Sequence, residues 1–113
     1  MIALVPVRDG ALPAGAHDVI AEAAGRVLIV GSGTVVASTT TTAASIAAEV
    51  YLVELGPVEI GRWAATLAPV IESLPDNDIV VLPHSADGRD LAPRLAAALG
   101  RPLLAGATEV SAH

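Results

Sequence analysis

Residues 78–100 read DIVVLPHSADGRDLAPRLAAALG. A short apolar run, Asp78 to Pro83, ends in a polar turn. The turn leads into an alanine-rich stretch with Leu at 91, 95 and 99 and Gly at 100. Four-residue leucine spacing lays one apolar stripe along a helix, and Gly100 supplies a left-handed stop. The run before the turn is short and rich in Val, Ile and Leu, which suits a strand covered on both faces. Strand, turn and helix in that order are the building unit of a parallel sheet.

The turn holds His84, Ser85, Asp87, Gly88, Arg89 and Asp90, with Arg94 one helical turn later. Asp87 or Asp90 is expected to cap the helix, because a carboxylate there accepts orphan backbone N–H groups and meets the positive end of the helix dipole. With Asp90 as the cap, Pro93 falls in the first turn, where no helical hydrogen bond is lost. Arg89 and Arg94 have no such local explanation.

Working outward, four more apolar runs appear: IALVPV at 2–7, RVLIV at 26–30, EVYLVEL at 49–55 and PLLAG at 102–106. Between them lie segments with helical spacing. Residues 14–24 carry Val19, Ile20 and Ala23 and stop at Gly25; residues 57–74 carry Ile60, Trp63, Ala64, Leu67, Val70, Ile71 and Leu74. Pro57 suits a first turn, whereas Pro69 is expected to kink or split its helix. The segment 35–47, with its four consecutive Thr, reads cleanly as neither helix nor loop. The alternation predicts a single α/β domain over 1–113. It is a doubly wound, Rossmann-like, mainly parallel five-stranded sheet with right-handed crossovers and helices on both faces. If the strand at 78–83 lies beside the first strand, its loop faces Arg8-Asp9-Gly10 across the switch-point crevice. Arg8, Asp9, His84, Ser85, Arg89 and Arg94 are then the candidate switch-point or interface residues.

Composition removes several functions. The 113 residues are 53% hydrophobic, enough for a core. There is no Cys and no Lys, so thiolate metal sites, Schiff bases and P-loop lysines are excluded. One Trp, one Tyr and no Phe leave no stacking platform for nucleic acid, and a net charge of -6 argues against nucleic acid and anionic membranes. The uncharged stretch 27–48, VLIVGSGTVVASTTTTAASIAA, is long enough to span a bilayer. Its two Gly, three Ser and five Thr, and the strand-like VLIV before GSG, favour a soluble reading. No basic leader region opens the chain, so a cytoplasmic location is expected. In VGSGTVV at 30–36, Gly31 and Gly33 match the first two glycines of a dinucleotide fingerprint, but Val36 stands in place of the third. Glu49 and Glu54 are nearby without the usual spacing of a ribose partner, so a plain tight turn is the better reading. His17, His84 and His113 share no metal-ligand spacing, and His84 and Ser85, as neighbours, point apart. No catalytic, cofactor or metal residue is assigned.

The stretch 78–110 resembles the N-terminal region of the electron transfer flavoprotein alpha subunit. That family carries Gly-Arg/Lys-Asp-Leu-x-Pro-Arg-Leu/Val-Ala-Ala-x-Leu after an apolar strand. Gly88, Arg89, Asp90, Leu91, Pro93, Arg94, Leu95, Ala96, Ala97 and Leu99 match it in register. A weaker similarity covers Arg8-Asp9-Gly10-Ala11-Leu12-Pro13 and the helix to Gly25, and residues 63–74 agree in pattern only. His84 in the turn and the Thr run at 39–42 depart from the family, which implies a divergent branch serving a dedicated dehydrogenase system.

The resemblance implies an adenine-nucleotide-hydrolase-like sheet acting as scaffold and subunit-contact domain of an electron-transfer component, not an enzyme. The partner would be the beta subunit, which also holds AMP, with a dehydrogenase and an electron acceptor engaged indirectly. FAD in the intact heterodimer would sit mainly in a C-terminal domain whose motifs are not found here. Residues 1–113 are therefore expected to be the N-terminal part of a longer subunit, binding no FAD, ATP or AMP alone, with the Arg residues serving contacts. Self-association through strand edges around Leu103, Leu104 and Val110 is also expected. Two alternatives remain open: a nucleotide sensor similar to universal stress proteins, whose late glycine signature Gly100 and Gly106 do not reproduce, and a plain protein-interaction domain.

Overall fold

A computed structural model describes residues 1–39, 47–56, 62–75 and 77–101, and the backbone of 109–110. The first apolar run forms β1 (Ile2–Val7), all six residues buried. It pairs in parallel with β2 (Arg26–Gly31) on one side and with β4 (Val80–Val81) on the other. β3 (Glu49–Glu54) adds in parallel to β2, in register from Arg26 opposite Glu49 to Gly31 opposite Glu54. The order is β3-β2-β1-β4, with β5 (Glu109–Val110) antiparallel outside β4.

The α/β, mainly parallel expectation is met, with one correction. The parallel sheet has four strands, and the fifth strand is only a two-residue antiparallel edge at Glu109–Val110. The strand expected at 102–106 lies outside the described residues, as do Leu103 and Leu104.

Period-two alternation sends successive side chains to opposite faces of the sheet. Ile2, Leu4, Leu28, Val30, Val80 and Leu82 face one way, onto α3 (Trp63–Ser73) and α4 (Ala86–Leu99). Ala3, Val5, Val7, Val27, Ile29 and Val81 face the other, onto α1 (Ala16–Glu22) and Ala37 of α2 (Thr34–Ser38). Each fully buried Leu, Ile or Val adds about 1.5–3 kcal/mol over its exposed state. Helices thus cover both faces. The chain crosses the sheet between β3 and β4, which puts the switch point between β1 and β4.

Helix ends follow the sequence in part. α1 ends as expected at glycine: Gly25 is left-handed and its N–H donates to the Ile20 carbonyl. α4 ends at Gly100, also left-handed, with the Arg101 N–H on the Ala96 carbonyl. α3 buries Trp63, Leu67 and Ile71 at four-residue spacing, and Pro69 does not split it. Pro69 lies on the exposed side, and the carbonyl it deprives of a donor belongs to Ala65, also exposed, where water replaces the bond. Residues 57–61 lie outside the described set. The uncharged stretch 27–48 resolves into β2 and the short α2, with 40–46 outside the described residues. Among the described residues no helix is long and apolar enough to cross a membrane.

Candidate functional site

In an open parallel sheet the strand carboxyl ends, at the switch point, are where ligands bind. Here that edge carries Arg8 and Asp9 after β1, Ser32 and Gly33 after β2, Glu54 at the end of β3, and His84, Ser85 and Asp87 after β4.

The loop after β1 is a tight turn. Asp9 and Gly10 both have positive φ, 52° and 76°, and the Ala11 N–H donates to the Arg8 carbonyl at 2.9 Å. Asp and Gly tolerate that conformation, and Asp-Gly is a common signature of such turns. The turn is bound to the loop after β2. The Asp9 N–H donates to the Ser32 Oγ at 2.8 Å, and the Gly10 N–H to the Ser32 carbonyl at 2.9 Å. A Cβ on Gly33 would overlap the Gly10 nitrogen and lie 2.8 Å from its Cα. The two backbones touch, so no crevice opens between β1 and β2.

Across the switch point, Arg8 reaches the loop after β4. Its Nε donates to Asp87 Oδ2 at 2.6 Å and its Nη2 to Oδ1 at 2.8 Å. This fork-on-carboxylate geometry is the most directional ion pair available to a protein. The Asp87 carboxylate raises the Arg8 pKa above its ordinary value, through hydrogen bonding first and charge second. Arg8 remains 65% exposed and Asp87 22%, so solvent screens the pair and its contribution is about 1 kcal/mol or less.

The cap of α4 is Ser85, not Asp87 or Asp90. Ser85 is extended, and its Oγ accepts the Gly88 N–H at 3.0 Å. A hydroxyl one residue before the helix reaches the third N–H directly. Asp87 lies within the first turn and turns outward to Arg8. Asp90 is a full turn in and pairs with Arg94 at 3.5 Å, one helical turn on. Starting the helix at Ala86 also moves Pro93 out of the first turn into the helix interior. Pro93 is exposed, and so is Arg89, whose carbonyl it leaves free for water.

The glycine turn after β2 is filled from elsewhere in the chain. Glu54 Oε1 accepts the Thr34 N–H and the Thr34 hydroxyl, both at 3.0 Å, and Oε2 accepts the Gly33 N–H at 3.2 Å. These bonds, led by the Thr34 N–H, hold the Glu54 carboxyl below the usual range. The carboxylate sits on the donors that a phosphate would need, as anions do at helix N-termini. At the same junction, a Cβ on Gly31 would overlap the Val7 carbonyl oxygen and lie 3.0 Å from the Trp63 ring.

The structure therefore joins Arg8 to Asp87, ties Asp9 to Ser32, and spends Ser85 on the cap. His84 and Arg89 are exposed, and Arg94 is on the outer face of α4 with Asp90. His113 lies outside the described residues. Among the described residues no group of three His, Cys, Asp and Glu side chains could hold a metal. At this edge the Ser32, Thr34 and Ser85 hydroxyls and the Glu54 and Asp87 carboxylates are engaged with the protein itself, which fixes the loops in place. The sequence reading missed Ser32 altogether and saw Glu54 only as a poor ribose partner. One signal was present: a helix opening with Gly-Thr has no side chain of its own before it to cap its first turn.

No curated protein and no solved structure matches this chain. A family model, the electron transfer flavoprotein domain, matches residues 8–113. From the Asp-Gly turn onward the matched span takes in both glycine turns and the capped start of α4, and by that match the chain belongs to the electron transfer flavoprotein domain family.

Proposed function

We propose that this chain is the scaffold and subunit-contact domain of an electron transfer flavoprotein alpha subunit. In such a protein electrons pass from a flavin dehydrogenase to an acceptor through FAD held outside residues 1–113. The observation that carries the reading is the family match over residues 8–113. Proteins of this family carry electrons rather than catalyse a reaction on a substrate. The alpha assignment rests on the register of Gly88 to Leu99 with the alpha-subunit pattern.

The carboxyl edge supports a scaffold role. An FAD pyrophosphate laid on the turn after β2 would meet the Glu54 carboxylate, and the crevice between β1 and β4 is bridged by Arg8 and Asp87. These residues do not fit the cofactor, and no redox step is assigned to them. Heterodimer formation with a beta subunit and a cytoplasmic location belong to the same proposal.

The test has two arms. The purified chain should show no visible flavin absorption after incubation with excess FAD. Extended by an alpha-type FAD domain and mixed with an electron transfer flavoprotein beta subunit, it should form a one-to-one flavin-containing complex by light scattering. Stoichiometric flavin in the chain alone, or no complex from the extended form, overturns the assignment.

A further inference from the structure

Among the described residues β3 is the last strand on its side of the sheet. Its odd-numbered residues are bonded inward: the Glu49 N–H donates to the Gly25 carbonyl and the Leu55 N–H to the Gly31 carbonyl. In a parallel strand both peptide groups of alternate residues point the same way. The N–H and C=O groups of Val50 and Leu52 therefore point away from β2, along an open edge. The side chains of the same two residues are 42% and 41% exposed. Tyr51 and Val53 pack on the opposite face, against the α3 side of the core. α2 meets β3 through Thr34 and Glu54; its Val35 is 64% and its Val36 62% exposed, and Val36 lies against Gly10 on the β1 side of the helix. Val50, Leu52, Val35 and Val36 are the large exposed apolar side chains among the described residues.

The charges around this strip have one sign. Glu49 opens the strand and Glu54 closes it; α2, TVVAS, has no charge at all. Among the described residues the cation at the strip is Arg26, which is largely buried and already holds Glu49 and the Met1 and Pro75 carbonyls. Glu49 keeps 53% of its side chain in solvent. An open edge with apolar side chains and unpaired backbone groups invites an added strand, and natural edges usually carry a device against it. Here the acidic ends act as a filter. A second copy of this chain, net charge -6, would bring acidic rim onto acidic rim.

We propose that the β3 edge takes an extended segment of a partner, apolar at alternate positions and basic at both ends. Its backbone pairs with Val50 and Leu52 and its apolar side chains cover those two residues; one terminal cation meets Glu49 on the Tyr51 face and the other meets Glu54 on the Leu52 face. This stands on the strand edge alone and does not depend on which flavoprotein subunit the chain forms.

The experiment titrates the full chain with a blocked hexapeptide of alternating valine and threonine ended by arginines, whose two ends fall on opposite faces as Glu49 and Glu54 do, followed by amide NMR and by salt dependence. The expected result is saturable shifts and slowed exchange at the Val50 and Leu52 amides, with those of Tyr51 and Val53 unchanged. Replacing the terminal arginines with glutamates should weaken binding about tenfold at low salt, from two reversed cross-strand charge pairs. Leu52→Lys should abolish the shifts while Trp63 fluorescence reports the same unfolding midpoint; Val36→Lys, on the Gly10 side of α2, should leave them unchanged. No binding, equal binding of both peptides, or shifts away from β3 overturns the proposal. So does dimerisation of the chain alone that Leu52→Lys prevents, because the occupant is then a second copy.

Discussion

The two glycine-bearing strand-to-helix junctions solve one problem differently. At β4–α4 the helix is capped from within: Ser85 accepts the Gly88 N–H three residues on. At β2–α2 the cap arrives from twenty residues away, as the Glu54 carboxylate on Gly33 and Thr34. α4 runs fourteen residues and buries Leu91 and Leu95; α2 runs five and buries Thr34 and Ala37. A helix of five residues cannot stabilise itself, since nucleation costs more than one turn returns. It persists here because its first donors are held by a neighbouring strand. The comparison teaches that a glycine turn before a helix does not mark an anion site until the owner of its N–H groups is known.

Steric demand should separate the junctions most. Gly31 has φ +129°, and a Cβ there would overlap the Val7 carbonyl oxygen and press on Trp63. Gly31→Ala should cost about 4 kcal/mol, the sum of backbone strain and overpacking. That is a large share of a small domain's stability. Gly88→Ala also overlaps backbone, at the Pro83 carbonyl, but Gly88 has an ordinary helical φ. Alanine's helix propensity returns up to about 1 kcal/mol, so the net cost should be about 2 kcal/mol. Urea unfolding followed by Trp63, the single tryptophan, measures both. If Gly88→Ala proves the costlier, β4–α4 is the tighter junction and the contrast is reversed.

What could be read from the sequence divides along the same line. The β4–α4 unit was legible as strand, turn and helix because its signals are local: a short apolar run, leucines four apart, and Gly100 as a stop. The layer order followed from alternation alone, and β4 does lie beside β1. Within the turn, two aspartates drew the cap away from Ser85, since charge near a helix start looks like a cap when the start is not known to within a turn. Asp9-Gly10 carried a turn signal that the reading passed over in favour of its charges. The pairing of Arg8 with Asp87, and of Glu54 with Thr34, is set by strand order, and no local pattern announces it.

The next contrast is among three side chains of one turn. Ser85→Ala removes the cap and should cost about 1 kcal/mol. Asp87→Ala loses the fork to Arg8 and a carboxylate near the helix dipole, for about 0.5–1 kcal/mol. Asp90→Ala loses a half-exposed pair with Arg94, for about 0.3–0.5 kcal/mol. Chemical denaturation of the three variants gives the order. Asp90→Ala as the most damaging change would move the helix start to Asp90, against the Ser85 cap.

The smallest effect should come from the other junction and show only in its pH dependence. The Glu54 carboxyl lies below its ordinary value because it accepts the Thr34 and Gly33 donors. A depressed folded pKa contributes stability that is fully present above the unfolded value, about 4.3 for Glu, and is lost as pH falls through the folded value. Glu54→Gln keeps one acceptor oxygen but no charge, so it should remove this contribution without touching the core. The stability difference between the parent chain and Glu54→Gln should be level from neutral pH to the usual carboxylate range, then shrink as acid is added. The Asp78 carboxyl is also lowered, by hydrogen bonding and charge from the Met1 amino group. The measurement therefore belongs in an Asp78→Asn background. The exposed position of Glu54 and screening by water keep the change small, and salt should reduce it further. A difference that grows as pH falls would mean that the carboxylate repels rather than caps, and the likeness between the two junctions as capped helix starts would be lost.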